Sequence, residues 1–439
     1  MLSLRKSNTG FVLSQKAATR MRREFLQRLI ALRSIHSIVR LTNNHFANVR
    51  TVGHRNKHKM ICEKKAQQIP ISFPPINKAN IQERTQPTPN FTINYFTNVI
   101  IQRAEAMPIN FESDHAKHVA MIAVKITNEY SIALEDIKFL GEMISLHIVP
   151  HSKPLGKLDS TTNNIFFIGD IHGDIKAMLY HLMCGDLEKD KFMFLGDLID
   201  RGAHSVEVLS LFFCLRLLFP ESVFGIRGNH EDETVFNIYG FVQEVSSKYF
   251  PDISIYAWAI PEDKARIKEI TNIFKNWMFT LPFASIVNNK IVCIHGSVSH
   301  GWSLEKANSL DPNFETTLTK INDTTTLNAM WSDPHEHDSD FPNQRGCGMI
   351  VSTKTIKDVC IANGLDLQIR AHQVANNGFE MLKYNGETIS ITIFGTPNYC
   401  GFAGNLAGFA ILRSNGTLEL RSFSSTEMHE AFAPQTFDT

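Results

Sequence analysis

No run of apolar residues in this chain is long enough to span a membrane. The most apolar candidate, Val206 to Phe219, is short and carries Glu207 and Arg216, so it reads as a core helix. CxxC spacing is missing too. The seven cysteines are odd in number and scattered, which excludes a disulfide framework and predicts free thiols in a reducing compartment. The N-terminus lacks the apolar core of a secretory signal. There is no internal repeat and no low-complexity tract, so a solenoid is excluded. Net charge is absent as well, with 44 Lys and Arg against 44 Asp and Glu. That zero hides an asymmetry. Residues 1–66 hold 15 basic and two acidic side chains, and the remainder holds 29 against 42. A basic arm precedes an acidic body.

What is present starts with size. At 439 residues and 43% hydrophobic, the chain is an ordinary globular protein of one large domain plus extensions, or of two domains. In the arm, Ala18, Met21, Phe25, Leu29, Leu32 and Val39 recur at helical spacing, with Arg22, Arg23, Arg33 and Arg40 largely off that stripe. A basic tail or helix that docks on the acidic body is the first reading of residues 1–66, with a regulatory or targeting partner a further expectation for the arm. A transit peptide or an anionic-surface helix is the second. A cytoplasmic location follows from the first reading and an organelle from the second. Residues 67–112, with Pro70, Pro74, Pro75, Pro87 and Pro89, read as an extended linker. The body is expected over 113–425 and a short tail over 426–439. Helices are expected near His115–Asn128, capped by Ser113 or Asp114, and near Leu134–Leu146.

The body is organised around Asn164 to Gly202. Its apolar runs Ile165–Ile168 and Phe192–Leu195 are bounded by Gly-Asp and predict buried parallel strands, joined by a crossover helix. Each strand ends in an aspartate: Asp170, followed by His172, and Asp197, followed by Asp200 and Arg201. Carboxyl ends of strands in α/β sheets are where such folds hold ligands. A second crossover helix over Ser205–Phe219 leads to a strand at Val223–Ile226 and then to Arg-Gly-Asn-His-Glu, Arg227 to Glu231. Ala284–Val287 and Ile291–Ile294 form a hairpin over Asn288-Asn289, ending in His295. Strands are expected at Ile389–Phe394, Gly408–Leu412 and Leu418–Phe423.

These turns collect Asp170, His172, Asp197, Asn229, His295 and His372, all oxygen or imidazole donors. The set suits two divalent ions of the Mn, Fe or Zn type. A pair of ions about 3.5–4 Å apart clamps the attacking and leaving oxygens of an in-line displacement, and lowers the pKa of a water from 15.7 to roughly 7.

GDIHG, GDLIDRG, RGNHE, HGS, WSDP, RAHQ and TPNYCG occur in this order. With them the chain resembles the PPP family of metal-dependent serine/threonine protein phosphatases, in the calcineurin-like metallophosphoesterase superfamily, over roughly residues 115–425. The resemblance implies an α/β sandwich of two mixed sheets flanked by helices. It implies Asp170, His172 and Asp197 on one metal, and Asp197, Asn229, His295 and His372 on the other, with Asp197 bridging. His230 would be the general acid for the leaving serine or threonine oxygen, with Asp200 orienting it. Arg201 and Arg345 would grip phosphate oxygens, and Tyr399 would stand at the rim. Phosphoproteins are the implied substrates; nucleic acid is not an expected partner.

Two other functions stay open on sequence: hydrolysis of dinucleoside polyphosphates or other small phosphoesters, and a non-catalytic binding scaffold. His181, His204, His335 and His337 have no motif around them and read as structural or solvated. Asp333, Glu336, Asp338 and Asp340 read as a solvated acidic loop that could favour basic substrate flanks. The chain departs from the family pattern in three places. Ser297 replaces a second glycine after His295, and Phe402-Ala403-Gly404-Asn405 replaces an acidic, polar loop. Residues 242–276 are longer than usual and predict an added lid around Tyr256, Trp258 and Pro261. The short C-terminus predicts no autoinhibitory segment like calcineurin's, and no tetratricopeptide-like repeat is expected at the N-terminus.

Overall fold

The structure is a computed structural model and describes residues 76, 78, 81–85, 89–107, 113–253, 261–310 and 324–433. The basic arm lies outside the described residues. The strands in chain order are β1 (Gln82–Thr85), β2 (Leu155–Leu158), β3 (Ile165–Ile168), β4 (Lys191–Phe194) and β5 (Val223–Gly225). There follow β6 (Ala284–Val287), β7 (Ile291–Ile294), β8 (Asp333–His335), β9 (Phe341–Pro342) and β10 (Met349–Ser352). The last are β11 (Leu367–Arg370), β12 (Phe379–Tyr384), β13 (Glu387–Ile393), β14 (Ala407–Leu412) and β15 (Leu418–Phe423). Two six-stranded mixed sheets result, ordered β1-β15-β14-β3-β4-β5 and β12-β13-β11-β7-β6-β2, with a small sheet β8-β10-β9 beside them.

Strand alternation makes these sheets a sandwich. In β3 the side chains of Ile165 and Phe167 point to the layer shared with Ile291 and Cys293 of β7 and Ile369 of β11. Phe166 and Ile168 point the other way, into a helical layer. That layer comprises α1 (Ile93–Ala106), α2 (Ser113–Glu129), α3 (Leu134–His147), α4 (Ile175–Met183) and α5 (Ser205–Leu218), then α6 (Glu233–Tyr239), α7 (Phe241–Tyr249) and α8 (Pro261–Met278). Helix α5 buries every residue except Arg216, because it is covered on all sides. The helix Thr353–Ala362 covers the far face of the second sheet through Ile356 and Cys360. The hairpin β6–β7 turns on Asn288 and Asn289, both at positive φ (51° and 55°), as a two-residue turn of this handedness requires.

Two expected boundaries change. The stretch 67–112 is not wholly a linker: β1 pairs parallel with β15, and α1 buries Phe96, Val99, Ile100 and Ala104. Thr92 caps α1 by accepting from Tyr95 N at 3.3 Å, and the neighbouring prolines masked this helical stripe. The stretch 426–439 begins in a helix, Ser425–Ala431, closed by a capping box between Ser424 and Glu427 and anchored by Met428. The described parts of 242–276 are helices that bury Val245, Ile270 and Phe274, and the lid expected between them lies outside the described residues. Tyr256 and Trp258 lie outside the described residues. No helix among those described is long and apolar enough to cross a membrane.

Candidate functional site

The parallel strands β3, β4 and β5 of one sheet, and β7 and β11 of the other, all open on one cleft of about 230 Å³. Asp170 and His172 follow β3, Asp197 follows β4, and Asn229 and His230 follow β5. His295 follows β7, and His372 follows β11. All seven are buried. The sharp exits from the strands need unusual backbone. His172, Asp197, Asp200, Arg201 and His372 all have φ between 46° and 72°, a conformation that non-glycine residues adopt at a cost. Gly228 is required by closeness: a Cβ there would lie 2.2 Å from Asp197 Oδ1.

Two donor groups share Asp197. His172 and His230 approach it on one side, and His295 and His372 on the other. His172 Nε2 lies 3.7 Å from Asp170 Oδ2 and 3.6 Å from Asp197 Oδ2, while its Nδ1 donates to Ile199 O at 2.9 Å. His295 donates from Nδ1 to Leu195 O (2.8 Å) and turns Nε2 toward Asn229 Oδ1 (2.9 Å) and Asp197 Oδ1 (3.2 Å). His372 Nδ1 faces that same Nε2 at 3.2 Å, and its own buried Nε2 has no hydrogen-bond partner. Facing imidazole nitrogens, an amide oxygen and a carboxylate around one point form a set that a divalent cation satisfies and a single proton does not. The donors present therefore fit divalent ions.

The electrostatics agree. Burial pushes the Asp170 carboxyl up to about 7, and Asp197 adds to the rise. Burial also acts to raise Asp197, but His295, His230 and His172 outweigh it and hold Asp197 well below the usual carboxylate range. Burial lowers His172 to about 3. His295 goes the other way: Asp197 and Asp170 overcome the effect of burial and raise it to about 9.

His230 is not placed like a fourth imidazole ligand. Its Nδ1 is 2.7 Å from Asp200 Oδ2, and its backbone N donates to Asp197 Oδ1 at 3.0 Å. Burial opposes its charge, yet Asp197 and Asp200 prevail and its pKa rises. Asp200 is itself held: its carboxylate accepts from Phe241 N at 2.9 Å, and its backbone N donates to Ser205 Oγ at 3.1 Å. Arg201 lines the cleft with its guanidinium 4.1 Å above the Tyr239 ring. Arg345 reaches the cleft from the loop before β10, and the Tyr399 ring packs 5.0 Å from that of His172.

Three residues quoted in motifs but assigned no part in the cleft turn out to build the site. Glu231 accepts from the backbone N of Asp197 (2.9 Å), Leu198 (2.7 Å) and Gly228 (2.7 Å), tying the second and third strand exits together. Asp333 is buried and bonds Arg345 Nε at 2.7 Å and Asn343 Nδ2 at 2.7 Å, and Arg370 lies 3.6 Å from it. Arg370 in turn donates to Gly296 O at 2.6 Å, joining the His295 and His372 turns. The solvated acidic loop expected over 333–340 holds for Glu336 and Asp338, which are exposed, and is corrected at its ends: Asp333 is a buried anchor, and Asp340 accepts from Ser352 N and the Thr355 hydroxyl. The remaining histidines are outside the cleft's donor set. His181 Nε2 donates to Gly395 O at 2.7 Å, and the rings of His335 and His337 stack 4.0 Å apart on the surface.

The sequence model of the calcineurin-like phosphoesterases matches residues 164–376. The serine/threonine-protein phosphatase PP1-delta of Caenorhabditis elegans is 32% identical over 250 residues, spanning 55% of this chain and 73% of that one. The serine/threonine-protein phosphatase 4 catalytic subunit of Kluyveromyces lactis is 29% identical over 265 residues, 60% of this chain and 79% of its own. Among solved structures, a protein serine/threonine phosphatase from Saccharomyces cerevisiae with similarity to human PP5 superposes with a TM-score of 0.58. It is 25% identical and covers 69% of this chain and 94% of its own.

Proposed function

The chain belongs to the PPP family of serine/threonine protein phosphatases, and from that premise we propose how its own residues carry out phosphoester hydrolysis. The protein is a phosphoprotein phosphatase that uses divalent metal ions. In our reading there are two ions, of the Mn, Fe or Zn type, held by Asp170, His172 and Asp197 and by Asp197, Asn229, His295 and His372. Bound there, they supply Lewis acidity and lower the pKa of a water toward neutrality. Arg201 and Arg345 hold the phosphate oxygens, each charged hydrogen bond contributing roughly 1.5–3 kcal/mol. Asp333 aims Arg345, and Tyr239 supports Arg201. His230 gives its proton to the serine or threonine oxygen as that oxygen leaves, and Asp200 keeps the imidazole charged and oriented until then. Tyr399 walls the cleft beside His172. We assign the basic arm to a regulatory or targeting partner of a cytoplasmic enzyme.

One observation carries the reading: Asp197 is common to both donor groups, with the His230–Asp200 pair beside it. The test is steady-state turnover of phosphoserine and phosphothreonine peptides beside a dinucleoside polyphosphate. Preference for the peptides supports the reading, and preference for the dinucleotide overturns it.

A further inference from the structure

The turn that follows β7 is fastened to β11 residue by residue. Ala371 N donates to His295 O at 3.1 Å, and Arg370 Nε to Gly296 O at 2.6 Å. Val298 N donates to Gln368 Oε1 at 2.9 Å. The Ser297 hydroxyl lies 3.2 Å from that same oxygen and 3.0 Å from Val298 O. Gln368 Nε2 donates in turn to Ser390 Oγ on β13 at 2.8 Å. Gln368, Ser297, Val298 and Ser390 are all at 0% exposure, so no water completes these bonds from outside.

An amide is an unexpected side chain at this place. β11 lies between β7 and β13, and its Leu367 and Ile369 enter the layer between the two sheets. Strand alternation turns Gln368 to the opposite face. Its partner in register on β7 is Val292, which belongs to the apolar cluster of Ile294, Val298 and Ile356. An amide among such side chains lowers stability unless its polar atoms are met. Here both are met, and by two different neighbours: the oxygen takes the turn after His295, and the nitrogen takes β13. Ser297, which stands where a second glycine was expected, belongs to the same arrangement through its hydroxyl.

We propose that Gln368 is a positioning residue for the ion assigned to Asp197, Asn229, His295 and His372. It does not line the cleft. It fixes the exit of β7 against β11, the strand that His372 follows. That sets where His295 Nε2 meets Asn229 Oδ1 (2.9 Å) and His372 Nδ1 (3.2 Å). Ser390 acts one step further out, by holding the amide in the orientation that turns its oxygen to Val298 N. The inference rests on the two-ion reading of the cleft.

The test is Mn binding to the full chain after chelation, measured by equilibrium dialysis, for wild type, Gln368→Met, Gln368→Glu and Ser390→Ala. Methionine keeps the length and loses both polar atoms, whereas glutamate keeps an acceptor for the turn. In Gln368→Met one of the two binding steps should weaken by about tenfold and the other by less than about twofold. Gln368→Glu should recover most of that loss. Ser390→Ala leaves the turn's own atoms in place, yet it should weaken the same step by about threefold. Added to Gln368→Met it should change nothing further. Weakening of both steps alike, or of neither, would overturn the proposal and leave Gln368 a packing residue; if Gln368→Met does not fold, Ser390→Ala decides alone. Amide exchange of the metal-free chain reads the same hold without an ion. Residues 295–298 should exchange faster in Ser390→Ala and Gln368→Met, with residues 170–173 unchanged, and unaltered exchange at 295–298 would refute the hold. A wild type that binds no Mn would instead refute the two-ion reading.

Discussion

Two nests of buried carboxylates sit about the ends of the first sheet, and they are neutralised in opposite ways. Where α5 meets α7, Glu207 and Glu244 share Lys248, whose Nζ bonds both, at 2.8 Å in the case of Glu244. Glu244 also accepts from the backbone of Ser205 (3.0 Å) and Val206 (2.9 Å). Burial acts to raise Glu207, but hydrogen bonds from His204 and Lys248 hold it below the ordinary range. In the cleft, among the described residues, the only basic side chains within 4.0 Å of the Asp170 and Asp197 carboxylates are histidines. Asp170 stays pushed up to about 7. The joint carries its own cation. In the cleft the histidines bring Asp197 alone below the ordinary range, and Asp170 is held at a cost that divalent ions from solution would relieve.

The sharpest way to break this contrast is Asp170→Asn. Metal content and phosphopeptide turnover should fall together, the rate by about 10³-fold for a loss of several kcal/mol. In chelator, the same variant should melt higher than wild type near pH 7.5. A carboxyl whose folded pKa is raised binds more protons folded than unfolded, so metal-free stability drops as pH climbs from about 4 to about 7. Asparagine escapes that drop and can still accept from His372 N, now 2.9 Å from Asp170 Oδ1. A lower melting temperature in chelator would refute the raised pKa.

Next in size is His230→Ala, which should cost about 10²- to 10⁴-fold in kcat with metal content intact. Its partner change, Asp200→Asn, probes the sign. The rate should fall as pH rises past the His230 pKa, because the proton to be donated is lost. Asp200 is one of the groups raising that pKa, so the alkaline fall in kcat should begin at lower pH in the variant. An unmoved limb would remove Asp200 from this role.

Smaller effects separate the regions further. Arg345→Ala should raise KM for phosphopeptides about tenfold, a single partly exposed charged hydrogen bond, with less change in kcat. Lys248→Met should lower stability by about 2 kcal/mol, the loss of a buried partner discounted for the partial exposure of the lysine. It should leave metal content and kcat alone. A change in metal content there would mean the two nests are coupled and the contrast is false.

Much of this was legible in the sequence, for a physical reason. Short buried strands end abruptly, and the polar residue after each end must have work to do, so Asp170, Asp197, Asn229, His295 and His372 announced themselves. Single-strand patterns carry no record of pairing partners, however. Nothing in residues 82–85 indicates that they lie beside Leu418–Phe423. The helix Ile93–Ala106 was hidden by prolines just before its cap, and Ser425–Ala431 by its shortness. Glu231, Asp333 and Arg370 stood inside recognised motifs, but their work is to bond backbone and side chains of distant turns, which appears only when the two sheets are brought face to face.

The central claim meets its most direct test in the metal itself. Purified full-length protein is assayed for bound transition metal and for phosphopeptide hydrolysis before chelation, after it, and after Mn is restored. The account predicts two ions per chain at the outset, activity that disappears with them, and recovery when Mn returns. Undiminished hydrolysis by correctly folded, metal-free protein would contradict it.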